Sequence, residues 1–391
     1  MSFAHINSFP ASSLYLHIPF CVRKCPYCDF YSLPLKHQTV PDSYVDALCI
    51  DIQRCLPAGT HLQSVFIGGG TPSLLSMGQM ERIVTTLEET VQFDVALEFS
   101  VEVNPATVSQ QWLEGTYSLG VNRLSIGVQS FQDEALNLLG RTHTGADALR
   151  CIERARDAGF SNINIDMMFS LPRVRDLGHG GAWMEADQKM IARLNPEHVS
   201  VYGLTLEPGT PFGVLAEQGE LGESDEEDFR HHFMAWHQTL QALGYCHYEI
   251  SNYALAGREC RHNLAYWERK TCYACGAAAH AFNPARWGVR SACVPDVDTY
   301  VAAVQCGEDP RHEVERFEVQ DAMAEWVYLR LRTARGIDAA EFYVTFGVEF
   351  ASVFADAIRT CGTLLHHDEG RWYFPPQEWL LYNHYVQAFL A

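Results

Sequence analysis

The chain has 391 residues, of which 47% are hydrophobic and 19% are charged, and its formal net charge is −20 at pH 7. This composition is typical of a folded globular protein, and the length favours one large domain with one or two smaller ones. The negative charge argues against a large nucleic-acid-binding face, which would neutralise phosphates with Lys and Arg. No apolar run approaches the roughly 18 residues of a membrane span, and the N-terminus lacks a secretory pattern, so we expect a cytoplasmic protein.

Six apolar segments alternate with helical patterns through the first 245 residues. The segments are rich in Val, Ile, Leu and Phe, as strands buried on both faces are. A series of βα units predicts a parallel sheet, either doubly wound or curled into an incomplete barrel. In both cases ligands bind at the carboxyl ends of the strands. The predicted strands are 14–19, 64–68, 97–103, 123–128, 162–168 and 198–206.

The last helix of this series carries start and stop signals, and the pattern changes after it. Ser224 and Glu227 have the spacing of a capping box, and Gly244 marks the helix end. Residues 251–310 show weak periodicity with scattered Cys, His and aromatic residues, and the helical pattern returns from about 311. We therefore predict a core domain at 1–245, a connecting region at 246–310 and a small helical C-terminal domain at 311–391.

Three cysteines, Cys21, Cys25 and Cys28, follow directly on the first predicted strand. Three thiolates in one compact loop can ligate three irons of a cubane [4Fe–4S] cluster. Position 30 is Phe30 and not a fourth cysteine, so the fourth iron is left open for a ligand. Two alternatives remain at this point: a zinc loop, for which His37 is the candidate fourth ligand, and a chance spacing. Thirteen cysteines without an export signal argue against a disulfide framework.

Polar and glycine residues interrupt the predicted strands near their carboxyl ends. The run Gly68–Gly70 and Thr71 follow the second strand, where glycine lets the backbone approach a ligand. Glu102 ends the third strand, Gln129 follows the fourth and Asp166 lies in the fifth. Polar side chains inside apolar strands are costly unless they are hydrogen-bonded. A bound ligand is one partner for them, and a structural hydrogen bond inside the barrel is the alternative.

Seven stretches together resemble one known family. They read YLHIPFC, KCPYCDFYS, GGGTPS, EVNP, SIGVQSF, LGRTHT and HVSVYGLTLEPGTP. On these motifs, from Tyr15 to the end, the chain is similar to the radical S-adenosylmethionine (SAM) family of oxygen-independent coproporphyrinogen III oxidase. The resemblance implies an incomplete (β/α)6 radical SAM barrel with a smaller, mostly helical C-terminal domain. It also implies that the three cysteines hold a [4Fe–4S] cluster whose open iron binds SAM.

The same resemblance assigns residues to SAM. Tyr15 and Tyr27 would line the cluster and the SAM pocket. Gly69 would pair through its backbone with the methionine amino group, and Glu102 would bind the ribose. A further set matches positions that hold a second SAM in the oxidase: Gly70, Thr71, Gln129, Arg141 and Asp166.

Three features favour the heme chaperone branch of that family over the oxidases. Oxidases carry a further cysteine where this chain has Phe30, and a longer segment before the first strand than the 20 residues that precede Cys21. The HNxxYW motif of the chaperone branch is complete here. Its members are His262, Asn263, Tyr266 and Trp267.

The chemistry of the HNxxYW motif suits heme. A neutral imidazole can ligate heme iron, Tyr266 and Trp267 can stack on the macrocycle, and Asn263 can orient His262. The alternative is a core histidine with a structural hydrogen bond. The chain departs from the branch after the motif, where the usual glycine-spaced GxGxGAH run has alanine at two glycine positions and ends at His280. The CxxC of Cys272 and Cys275 is interpreted as packing and not as a metal site.

We therefore expect a heme-binding chaperone that passes heme to respiratory proteins, with a SAM-loaded cluster controlling dimerisation or release. No catalytic residue is assigned, no oxidase activity is expected, and no nucleic acid is expected as a partner. The resemblance also allows a homodimer and transient contact with membrane-bound acceptors. The alternative is radical decarboxylation of coproporphyrinogen III propionates. Radical modification of tRNA is disfavoured by the acidic charge.

Overall fold

The computed structural model describes residues 12–35, 39–172 and 181–390. His37, the alternative zinc ligand, lies outside these ranges. Within them, every helix is too short or too polar to cross a lipid bilayer.

Six parallel strands that pair in chain order form the centre of the molecule. Each overlaps a strand predicted from the sequence. Because the two ends of the sheet do not pair with each other, the strands form an incomplete (β/α)6 barrel, which confirms the predicted fold class. The strands are β1 (Ser12–Ile18), β2 (His61–Gly69), β3 (Gln92–Val103), β4 (Arg123–Gln129), β5 (Ile163–Phe169) and β6 (His198–Gly203).

Helices follow the strands and continue into the C-terminal region. In the first part of the chain they are α1 (Asp42–Cys55), α2 (Met77–Thr90), α3 (Gln110–Ser118), α4 (Asp133–Leu138), α5 (Gly145–Asp157), α6 (Gly181–Leu194), α7 (Pro211–Glu217) and α8 (Glu226–Ala242). Later helices are α9 (Arg261–Trp267), α10 (Val297–Cys306), α11 (Val319–Leu331), α12 (Ala339–Phe346), α13 (Phe350–Val353), α14 (Ala355–Cys361) and α15 (Tyr382–Val386). Segments of 3₁₀ helix lie at Pro72–Leu74, Gly362–Leu364, Pro376–Leu381 and Gln387–Phe389.

The start of α8 differs from the prediction. Its N-cap is Asp225, whose side chain accepts a hydrogen bond of 2.8 Å from the backbone N–H of Asp228. The predicted capping box of Ser224 and Glu227 is therefore wrong by one residue, because Asp caps a helix as well as Ser does. The predicted stop is correct, since Gly244 adopts the left-handed conformation with φ +89° directly after the helix.

The two faces of the barrel strands differ in polarity, although the sequence suggested strands apolar on both sides. Residues such as Leu14, Ile126 and Ile165 are fully buried on the outer face, which packs against the helices. Alternate residues point into the lumen. Those near the start of each strand are polar and buried: Ser13, Ser64, Glu98, Arg123, Asn164 and His198.

Further strands extend the central sheet at both ends. Beyond β6 lie β7 (Cys246–Glu249) and β8 (Asn252–Ala254), which run antiparallel to their neighbours. Next to β1 lies β9 (Cys272–Cys275), which is parallel to it. The strands that follow β9 pair antiparallel and are β10 (His280–Asn283), β11 (Val289–Cys293) and β12 (Arg311–Arg316). One sheet thus runs through the core and connecting regions, and the domain boundaries at 245 and 310 stay a prediction.

The C-terminal region is mostly helical, as predicted. Helices α11 to α15 pack around a small antiparallel sheet in the order β13, β15, β14. Its aromatic core includes Trp326, Phe342, Phe350 and Phe389, all nearly fully buried. The strands are β13 (Ile337–Asp338), β14 (His366–Asp368) and β15 (Arg371–Tyr373).

Candidate functional site

The cysteine loop leaves the carboxyl end of β1 and closes on itself. The short strand Phe20–Cys21 pairs in parallel with Leu33–Pro34, and the backbone N–H of Leu35 donates to the carbonyl of Cys21 at 2.8 Å. Inside this closure, the N–H of Cys28 donates to the carbonyl of Cys25 at 3.1 Å, which forms a tight turn. All three thiols are therefore carried on one short, hydrogen-bonded loop at the strand edge where ligands bind in such folds.

Two of these thiols are surrounded by hydrogen-bond donors. The hydroxyls of Thr71 and Ser32 interact with Cys21, and the backbone N–H of Phe30 donates to the sulfur of Cys28. Burial raises the pKa of both thiols, and the nearby Cys25 thiol raises the pKa of each further. Donors aimed at sulfur stabilise thiolates and tune the potential of a cluster that the thiolates hold.

Arg141 supports the third cysteine. Its Nη1 lies 3.6 Å from Cys25 Sγ, and its Nη2 donates to the carbonyl of Gly127 at 2.7 Å. The guanidinium also interacts with the hydroxyl of Tyr27. Arg141 therefore connects the cysteine loop to the end of β4.

The residues fit a cubane cluster. In a cubane each thiolate binds a different iron, so the sulfurs lie farther apart than the ligands of one metal ion do. Among the described residues, no three His, Cys, Asp or Glu side chains are gathered closely enough to hold a single ion. The thiols of Cys21, Cys25 and Cys28 nevertheless interact with one another electrostatically, so they lie near one another. This arrangement is what a cluster with one open iron needs.

The upper lumen brings several of the predicted SAM residues together. The backbone N–H of Gly69 donates to Glu102 Oε2 at 2.9 Å, and a methyl group at Gly68 would lie 3.0 Å from Glu102 Cδ. Burial and the neighbouring carboxylate of Asp166 raise the pKa of Glu102 to about 8. Tyr15 lies nearby, with its hydroxyl 2.9 Å from Nδ1 of His17. Glu102 and Asp166 are mostly buried, and the small exposed part of each lies at this end of the lumen.

The remaining predicted SAM residues lie around the same opening. Asp166 accepts hydrogen bonds from Asn164 Nδ2 at 2.7 Å and from Ser125 Oγ at 3.3 Å. Gln129 ends β4 in the left-handed region with φ +68°, which is uncommon for a residue other than glycine. Gly70 donates its N–H to Ile18 at 2.9 Å, so it joins β1 to the turn that carries Thr71.

His262 lies in the lower lumen, beneath this opening. Its ring is 2% exposed and stacks on Phe66 with a centroid separation of 5.2 Å, while Tyr266 meets it edge-on at 5.1 Å. Nδ1 lies 3.2 Å from Ser64 Oγ, and Nε2 is buried without a hydrogen-bond partner. Burial and the charge of Arg123 lower the pKa of His262 to about 3, so the imidazole is neutral.

Glu98 holds the helix that carries His262, and sequence reasoning missed it. Its carboxylate accepts hydrogen bonds from the backbone N–H groups of Arg261 at 3.1 Å and His262 at 3.2 Å, and from Cys260 Sγ at 3.5 Å. Glu98 and Glu102 are four residues apart on β3. Because side chains alternate along a strand, this even spacing places both on the lumen face. The sequence could have indicated Glu98, because it is a second carboxylate on the same face of the strand as Glu102.

The aromatic end of the HNxxYW motif borders a cavity of about 230 Å³. Tyr266 and Trp267 form one wall of this cavity, and the exposed His280 lies on another. The Trp267 ring also lies 4.5 Å from the guanidinium carbon of Arg332. The motif therefore contacts the lumen through His262, and Tyr266 contacts both this histidine and the cavity that Trp267 lines. Asn263, between them, is partly buried.

Two domain families match the chain: the radical SAM superfamily over residues 15–176 and the HemN C-terminal domain over residues 318–381. The protein named heme chaperone HemW from Bacillus subtilis is 34% identical over 384 residues, which cover 97% of this chain and 99% of that protein. The chain belongs to the HemW family. The HemW protein of Escherichia coli is 39% identical over 279 residues, covering 69% of this chain and 70% of that one.

HemW membership confirms the branch that Phe30 and the HNxxYW motif indicated. The solved structure of coproporphyrinogen III oxidase (HemN) from Escherichia coli, a radical SAM enzyme, superimposes with a TM-score of 0.83 at 24% identity. The match covers 97% of this chain and 90% of that one, so the two share a fold. Radical SAM membership implies a [4Fe–4S] cluster and SAM, which the cysteine loop and the open upper lumen suit.

Proposed function

We propose that this chain is a cytoplasmic heme chaperone that binds heme and transfers it to respiratory acceptor proteins. The observation that carries the proposal is the neutral His262 imidazole of the HNxxYW motif, whose Nε2 has no hydrogen-bond partner. Ser64 Oγ donates its proton to Ser13 Oγ at 2.8 Å and therefore accepts from Nδ1–H of His262, which leaves the lone pair on Nε2. A neutral imidazole nitrogen with a free lone pair is a ligand that heme iron accepts. The family relationship to proteins named heme chaperone HemW supports the same function.

The proposed cluster ligands are Cys21, Cys25 and Cys28. When bound, the cluster supplies an electron and an open coordination position for SAM. Thr71, Ser32 and Arg141 hold the thiolates by hydrogen bonds and charge. The residues we propose to line SAM are Tyr15, Tyr27, Gly69, Gly70, Thr71, Glu102, Gln129, Arg141 and Asp166.

Heme binding through His262 requires a local movement. The ring is 2% exposed and packed between Phe66 and Tyr266, so a macrocycle reaches Nε2 only when α9 moves away from the barrel. Tyr266 and Trp267 then supply aromatic faces for the porphyrin, and Asn263 orients the ligand. The cavity beside Tyr266 and Trp267 gives the helix space on that side.

The proposed partners are heme and its respiratory acceptors, reached by the chain alone or as a homodimer, in part at a membrane. Each proposed domain has its own role. The core domain at 1–245 holds the cluster and SAM, and the connecting region at 246–310 contains the heme-binding motif. The domain at 311–391 closes the cavity, since Glu325 lies in its wall.

The test uses anaerobically reconstituted protein in two parallel assays. In the first, the hemin-loaded protein is mixed with a heme-free respiratory acceptor, and the heme spectrum is followed after separation. In the second, the same protein is incubated with coproporphyrinogen III, SAM and a reductant. Transfer of heme without porphyrinogen conversion is the expected result. Conversion with SAM turnover and no heme transfer would overturn the proposal in favour of the oxidase.

A further inference from the structure

A second group of cysteines lies where the end of α1 meets the end of β9. Cys55 is the last residue of α1, and Cys275 is the last residue of β9. Their thiols interact electrostatically, and Cys55 Sγ lies 3.9 Å from the carbonyl of Ala274, the residue before Cys275. Cys275 is fully buried, whereas Cys55 is partly exposed. A solvent oxidant can therefore reach one thiol of the pair first.

A buried charge pair lies against these thiols. Arg311 Nη2 is 3.6 Å from Cys275 Sγ and 2.6 Å from Asp51 Oδ1. The hydroxyl of Tyr300 donates to Asp51 Oδ2 at 2.8 Å, which anchors the carboxylate beside the guanidinium. The side chain of Arg311 is 14% exposed, so its charge is weakly screened. The charge of Arg311 also acts on the neighbouring Cys55, where it favours the thiolate over the thiol.

The thiols of this group are not equivalent. The pKa of Cys55 is lowered because its sulfur accepts a hydrogen bond from Cys275 and lies near Arg311. Burial raises the pKa of Cys275, and it raises the pKa values of Cys272 and Cys293 to about 12. Cys55 is also the more exposed thiol of the pair, so it is placed to act as the nucleophile, and the buried Cys275 next to it is placed to react with it.

We infer that Cys55 and Cys275 are a redox-active pair that hydrogen peroxide oxidises to a disulfide. The Cys55 thiolate attacks one peroxide oxygen; an S–O bond forms, the O–O bond breaks, and hydroxide leaves and takes up a proton as water. The Cys275 sulfur then attacks the sulfenic acid; the S–S bond forms, the S–O bond breaks, and a second water leaves. Two thiols and one peroxide thus give one disulfide and two waters. The pair uses none of the residues assigned above to the cluster, SAM or heme.

The test maps disulfides in the full-length, cluster-containing protein. After treatment with one equivalent of hydrogen peroxide, free thiols are alkylated and the digested protein is analysed by mass spectrometry. A peptide link between Cys55 and Cys275 is expected. Cys275→Ser should leave Cys55 as a sulfenic acid that dimedone traps, whereas the control Cys49→Ser, on the same helix, should still form the link. A fully reduced Cys55, or a link from Cys55 to any other cysteine, would overturn the inference.

A second measurement needs no variant. Iodoacetamide alkylation of the untreated protein at pH 7.5 should modify Cys55 at least about tenfold faster than the partly buried Cys49, because thiolate fraction sets the rate. Burial raises the pKa of Cys49, and no cation is among the groups that shift this pKa. Equal rates at the two positions would also overturn the inference.

Discussion

The backbone N–H of Gly69 donates a hydrogen bond of 2.9 Å to Glu102 Oε2, which ties the carboxyl end of β2 to that of β3. The contact is close because position 68 is glycine; a methyl group there would lie 3.0 Å from Glu102 Cδ. The carboxylate is thereby fixed at the rim of the lumen, next to Tyr15 and across from Asp166. A ligand that enters this opening meets an oriented acceptor.

Glu102→Gln should weaken SAM binding without removing iron. The positive charge of bound SAM favours the ionised form of Glu102 over the protonated form that its raised pKa gives in the SAM-free protein. The loss of a charge-assisted hydrogen bond to this carboxylate costs roughly 1.5–3 kcal/mol, which corresponds to about a tenfold to hundredfold lower affinity. Equilibrium dialysis with labelled SAM and an iron assay measure the two quantities. Glu114→Gln, an exposed change on α3, is the matched control. An unchanged SAM affinity in Glu102→Gln would show that Glu102 is a structural carboxylate only.

The raised pKa of Glu102 predicts a pH dependence of stability in the SAM-free protein. Its folded pKa of about 8 exceeds the ordinary value of 4.5, so the folded chain holds a proton that the unfolded chain releases between these values. The free energy of unfolding therefore falls as pH rises through this window. Between pH 6 and pH 9, the free energy of unfolding of the wild type should fall by roughly 1–3 kcal/mol more than that of Glu102→Gln. Urea unfolding at both pH values measures this difference, and parallel pH curves would contradict the prediction.

Arg141→Met should weaken the cluster while leaving its three cysteines in place. The change removes the hydrogen bond to Cys25 and the positive charge beside it. Loss of such an outer partner typically costs about 10–100-fold in metal affinity. Iron release to a chelator from reconstituted protein measures the effect. The exposed Arg150→Met on α5 should behave as wild type, and identical release from both variants would exclude a supporting role for Arg141.

Ala278→Gly should stabilise the protein, since Ala278 adopts φ +63°. An alanine in the left-handed region destabilises the folded state by roughly 1–2 kcal/mol, and glycine removes this strain. Glycine also makes the unfolded chain more flexible, which offsets about 0.5–1 kcal/mol of the gain. A net gain of roughly 0.5–1 kcal/mol in unfolding free energy is therefore expected. The neighbouring Ala277→Gly is the control. Ala277 is fully buried without a positive φ, so its change should destabilise. Destabilisation by both changes would contradict the prediction.

The fold could be predicted from local sequence because the barrel strands are continuous apolar segments with helical patterns between them. The strand at Arg123–Gln129 differs from the predicted 123–128 by one residue. The lumen alternation was missed because single polar residues such as Ser125 and Asn164 do not interrupt a strongly apolar strand. The parallel pairing of β9 with β1 was also missed, since Cys272–Cys275 has no strand signal of its own and pairs across a long sequence separation.

The candidate site also has a part that the sequence could predict and a part that it could not. The cysteine spacing and the GGGTPS run are local, and the structure places them at one strand edge. The position of His262 inside the lumen depends on contacts with Phe66, Ser64 and Glu98 that lie far away in sequence. The buried ring beside Ser64 matches the alternative of a core histidine, which the sequence left open. No pattern around the HNxxYW motif shows that Trp267 lines a cavity.

Hemin titration followed by absorbance tests the proposed heme ligand most directly. The wild type should bind near one hemin per chain and give a sharpened, shifted Soret band, because His262 ligates the iron through Nε2. Trp267→Ala should remove stacking worth on the order of 1 kcal/mol. His262→Ala should weaken binding or change the ligand, whereas His280→Ala, an exposed histidine beside the same motif, should keep the wild-type spectrum. A wild-type spectrum in His262→Ala would contradict heme ligation by His262.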